Sequence, residues 1–104
     1  MARSEHSIRM DFKRTMDQAS KLEELGKKVE QLAKKDLANS RSNLSGNWKG
    51  ENATAYLKKV QVVEGNLSSV GARLKNTAGV LRDIAKRTYD AEMRALERAR
   101  RREH

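Results

Sequence analysis

The residues able to do acid–base or metal chemistry are poorly placed for it. The two histidines, His6 and His104, stand near opposite ends of the 104-residue chain, and no cysteine is present to act as a thiol nucleophile or zinc ligand. The carboxylates are interleaved with Lys and Arg at positions expected to be solvated, without the apolar setting that raises a carboxyl pKa. Gly46 and Gly50 flank Trp48, and no Gly-Lys-Ser or Gly-Lys-Thr follows to cradle a phosphate. The chain is therefore not expected to be an enzyme or to need a cofactor or metal. What remains suits recognition: Trp48, with Gly50 two residues on.

The elements that must position these residues follow from periodicity. Apolar residues recur at alternating spacings of three and four over nearly the whole length, with no strand-like alternation, so the fold is expected to be all-α. In the first half, Ile8, Phe12, Met16, Ala19, Leu22, Leu25, Val29, Leu32 and Leu37 form a stripe, with Ser7 as a plausible N-cap. The polar run from Asn39 to Asn47 competes for helical hydrogen bonds and is expected to end this helix, leaving Asn47 to cap the next. After the turn, Ala53, Tyr56, Val60, Val63, Leu67, Val70, Leu74, Thr77, Leu81, Ile84, Thr88, Ala91 and Ala95 keep heptad spacing. One domain, 1–104, is expected: an antiparallel two-helix hairpin with a helix over about 8–40, a turn over about 41–50, and a helix over about 51–99 with a basic tail.

A lone hairpin of this composition would be marginal, because it has little apolar material for a private core. The first helix resolves into two seams. Leu22 and Val29 can run with Gly26 and Ala33, or with Leu25 and Leu32, and two seams imply two neighbours: the second helix and another chain. On the second helix, Gly71, Ala78 and Ala85 repeat every seven residues, and close approach of another helix is the expected reason for Gly71. Counting back from the loop to Ile8 places the start of the first helix opposite about residue 86 or 87, at about 1.5 Å per residue on both helices. Everything beyond would overhang, including Tyr89, Met93 and Leu96, and would either fray or be covered by a partner. Candidate partner contacts are therefore Leu22, Leu25, Val29, Leu32, Gly71, Ala78, Tyr89, Met93 and Leu96. Trp48 has two readings that do not exclude each other: a clip over the hairpin end against Leu44, Ala53 and Leu57, or an exposed anchor for a partner.

The formal net charge of +9 raises the question of an anionic partner. From Lys86 to Arg102 seven Lys or Arg stand against three acids, which supports nucleic acid as an alternative partner. Against it, the basic residues are not interleaved with aromatics and no helix-turn-helix is recognisable. Membrane action is not predicted, as the apolar seam is narrow and poor in large aromatics. The first residues carry no apolar run of the kind a secretory signal needs, so any export is expected to use another route.

With about one hundred residues, no cysteine, two long helices and Trp48-x-Gly50 in a central turn, the chain resembles the WXG family of early-secretory-antigen-like proteins of type VII secretion. The resemblance implies a helical hairpin that pairs into a four-helix bundle or packs on a helical partner. It implies a homodimer or a heterodimer with a related helical protein or an LXG-type toxin domain. It also implies contact with the type VII machinery, a chaperone-like or co-secreted role, and a cytoplasmic location before export, with secretion or surface display needing no signal peptide. One departure stands out. The family's export signal places an acid four residues after a tyrosine, whereas Tyr89 has Met93 there and Glu92 at three. Residues three or four apart share a helix face, so Tyr89 and Glu92 are kept as a variant signal, and reliance on a partner for targeting is the stronger implication.

Overall fold

Ser4 sets the start of the first helix. Its hydroxyl accepts the Ser7 backbone N–H at 3.1 Å, filling one of the four donors that a helix start leaves unpaired. Ser7, expected as the cap, instead lies within the first turn. From here the computed structural model, which describes residues 3–103, is helical up to Asn47. Helix α1 spans Glu5–Gln31, a π-helical segment spans Leu32–Leu37, and α2 spans Ala38–Asn47. After a short turn, α3 spans Glu51–Arg102 without interruption. The described residues form a helical hairpin with no strand.

Two expectations about the turn are corrected. The segment 41–47, expected as loop, is helical, and the turn is only Trp48, Lys49 and Gly50. The short polar side chains do not break the helix because they bond backwards along it: the Ser45 hydroxyl donates to the Ser42 carbonyl, and the Asn47 amide donates to that of Asn43. Arg41 adds an ion pair to Glu64 of α3 at 2.9 Å, so tertiary contact outweighs weak helix propensity. Asn47 therefore ends α2 and does not cap α3. The Gly50 carbonyl receives both the backbone N–H and the hydroxyl of Thr54, each at 3.1 Å.

Contacts divide the chain into two units, one of residues 1–22 and 76–104 and one of residues 23–75. In the second, the turn unit, the helices run antiparallel with Gly26 against Gly71 and Arg41 against Glu64. In the first, the terminal unit, antiparallel pairing sets Phe12 against Tyr89, ring centroids 5.0 Å apart, and brings Glu5 to Arg100 at 3.3 Å.

Among the described residues the buried apolar ones are Ile8, Ala19, Ala33, Ala53, Ala78 and Ala85, with Gly26 and Gly71 buried among them. Small residues thus recur every seven positions, at 19, 26 and 33 on one side and at 71, 78 and 85 on the other. This explains Gly26 and Gly71. A Cβ on Gly26 would lie 2.8 Å from the Gly71 carbonyl oxygen, and one on Gly71 would lie 2.8 Å from that of Gly26. Only glycine lets the two backbones approach so closely. An alanine seam has little apolar volume, so the hairpin leaves its larger side chains outside it.

Candidate partner interface

Trp48 is the first residue after α2, with extended backbone (φ −121°, ψ 123°) and its N–H on the Leu44 carbonyl at 2.8 Å. Gly50 reverses the chain at φ +120°, a conformation that side-chain-bearing residues rarely adopt. The indole packs on Tyr56 with ring centroids 5.6 Å apart and planes tilted by 51°, a favourable aromatic arrangement. It is still 42 % exposed. The ring therefore combines a clip, made with Tyr56 of α3, and a free edge.

The heptad set expected to be the seam of α3 is divided by the fold. Leu67, Leu74 and Leu81 flank the buried line and are half-buried, whereas Tyr56, Val63, Val70 and Ile84 stay exposed. Their positions follow from helix geometry. Relative to the buried line, Glu30 and Lys75 each stand about 40° to one side, and they meet there at 3.3 Å. Leu25 and Val29 on α1, and Val70 and Leu74 on α3, stand about 60–100° to the other side. The turn unit thus has one flank closed by the ion pairs Glu30–Lys75 and Arg41–Glu64, and an opposite flank that is apolar. Leu25 and Val70 on that flank are 49 % and 44 % exposed, and Leu32 and Val63 are exposed similarly. Covering the exposed half of each would contribute about 1 kcal/mol per side chain.

The expected partner contacts sort accordingly. Leu25 and Leu32 are exposed, Val29 is half-buried on the same flank, and Leu22, in the terminal unit, is half-buried. Gly71 and Ala78 are withdrawn from the partner surface, since both are buried in the hairpin itself. The helix that approaches Gly71 is the chain's own α1.

The expected overhang is also corrected. Because the first helical run continues to Asn47 and starts at Glu5, α3 has company well past Lys86. Tyr89 lies on Phe12, and Met93 and Leu96 are half-buried. Glu92 receives the Arg3 guanidinium at 3.1 Å, and the same guanidinium donates to Asp11. Tyr89 and Glu92 thus both take part in contacts that join the two helices, which leaves less of either for a receptor to read. Two arginines of the basic tail are engaged as well, Arg100 with Glu5 and Arg101 with Glu97 at 2.8 Å. Glu5 is held below its ordinary pKa by its hydrogen bond from Arg9 and then by that from Arg100. Among the described residues no helix is long and apolar enough to cross a membrane.

No family model, curated protein or solved structure matches this chain. Its functional reading rests on its own residues.

Two contacts have little signal in the sequence, one at the turn and one at the start of α1. The spacing of Tyr56 suits a seam, and its role as a platform for Trp48 has the eight-residue separation across a turn as its only sequence signal. The capping role of Ser4 was legible in principle, as Ser4 precedes acidic Glu5.

Proposed function

We propose that this chain is a small type VII secretion protein of the WXG kind, acting as an accessory, chaperone-like partner of a larger secreted effector or as a co-secreted dimeric substrate. The observation that carries the reading is the turn. Trp48 immediately follows a helix, Gly50 reverses the chain at φ +120°, and a long helix follows at once. The apolar flank beside it supports a protein as the ligand, since an amphipathic helical surface is matched by another helix or hairpin. In this reading the chain is cytoplasmic until exported, and the bundle forms with a second hairpin, its own or another's. The departure at Tyr89 and Glu92 favours a partner that carries the export signal.

The alternative, a basic nucleic-acid-binding helix, has weaker support. Acid–base pairs four apart, Asp83 with Arg87, Asp90 with Arg94 and Glu97 with Arg101, interleave its charges, and such pairing suits a solvated helix better than a phosphate track.

An export assay tests the reading. In the cells that encode the chain, deleting the ATPase of the type VII system should trap the chain, or the effector it accompanies, inside the cell. Normal export of both in the deletion strain would contradict it.

A further inference from the structure

The apolar flank of the turn unit has a charged border, and its sign is the same along both edges. Beyond Leu25 and Leu32, the outer edge of the first helical run carries Lys28 and Lys35, seven residues apart. Beyond Val63 and Val70, the outer edge of α3 carries Lys59 and Arg73, with Asn66 midway at heptad spacing. All four cations are exposed, and among the described residues none has an ion pair. Asp36, in the π-helical segment, is the acid on this side.

When two hairpins pack flank to flank, such outer positions face the corresponding positions of the other hairpin and set partner choice. A second copy of this chain would bring Lys and Arg against Lys and Arg whichever helix of one met whichever helix of the other, because both edges are basic. Like charges so placed suppress association, and opposite charges promote it. We infer that the flank selects a different protein: a helical partner with an apolar face bordered by Glu and Asp, in preference to a second copy. The inference rests on the reading of this flank as a partner seat, and it adds the chemistry of the partner and the means of rejecting self-association.

The full chain can supply its own probe. A variant with Lys28→Glu, Lys35→Glu, Lys59→Glu and Arg73→Glu keeps the apolar flank and reverses its border. At about 50 mM NaCl, where charges are weakly screened, sedimentation equilibrium of the equimolar mixture should show heterodimer at least about tenfold tighter than self-association of either chain. Adding Val70→Ser to both chains should abolish the complex, which separates seating on the flank from general attraction between oppositely charged chains. Salt gives an independent reading that needs only the unaltered protein. Raising NaCl to about 1 M should strengthen self-association of the wild-type chain by screening repulsion, and should weaken the mixed complex.

A wild-type homodimer that is tight at low salt and not strengthened by more salt would overturn the charge selection while leaving the partner seat intact. A mixture no tighter than its components would overturn it too, and absence of any association at every salt concentration would remove the seat as well. Should the reversed variant fail to fold by circular dichroism, the salt series on the wild-type chain decides alone.

Discussion

Gly26 and Gly71 are where a single added methyl group should matter most. Each Cβ would meet the opposite backbone carbonyl oxygen at 2.8 Å, so a helix must move. Gly26→Ala and Gly71→Ala are each expected to lower stability by about 1–3 kcal/mol, the usual range for overpacking. Gly65 makes the control, since nothing lies near its Cβ position, and Gly65→Ala should raise stability by about 1 kcal/mol. Thermal melts of the three variants check this, and a stabilised Gly71→Ala would refute the close approach. The seven-residue spacing of Gly71, Ala78 and Ala85 was legible in the sequence. Which helix approaches it was not, because the same small residues suit an internal or an external neighbour. Glu5 offers a second test at this scale. Its folded pKa is depressed, so its contacts with Arg9 and Arg100 stabilise above the unfolded value and are lost as pH falls through the folded one. Its carboxyl carbon, followed by NMR, should titrate with a midpoint below about 4.3, the unperturbed value for glutamate. A midpoint at or above that value would show the two contacts to be absent in solution.

At the scale of elements, α2 is the least secure helix. It is built from Asn, Ser and Gly with few apolar residues and has no buried side chain. Its backbone amides are expected to exchange with solvent faster than those around Gly71 in α3, because local opening is easiest where little apolar surface is buried. Equal protection in the two segments would contradict this. The same composition argues locally for a loop there, and the Arg41–Glu64 pair that favours helix is a long-range contact that local propensity does not register. A first helix ending near residue 40 implies an overhang beyond Lys86, which the continuation to Asn47 removes. The long α3, by contrast, was legible to within a few residues at its end, since its periodicity runs unbroken through the chain. The π-helical segment at Leu32–Leu37 has no sequence signature that periodicity detects, and it accommodates an extra residue per turn between α1 and α2.

For the molecule as a whole, the thin alanine seam and the exposed leucines and valines belong together. A chain that commits its small residues to a close internal contact leaves its larger ones exposed. The Trp48–Tyr56 pair belongs to the turn, and Trp48→Ala should cost about 1 kcal/mol of stability through loss of that aromatic contact. The all-helical class and the long α3 are readable from the chain, whereas the extent of the turn is not, and the identity of the exposed flank required the pairing of Glu30 with Lys75 to say which side was closed. The central claim is that this open flank seats a helical protein partner. The most direct measurement is co-expression of the chain with the helical proteins encoded beside it, followed by light scattering on the purified complex. The account predicts a defined complex with one of them that Leu32→Asp together with Val70→Asp abolishes while the isolated chain keeps its helical circular dichroism. A complex indifferent to those substitutions, or a chain that remains a well-folded monomer beside every neighbour, would contradict it.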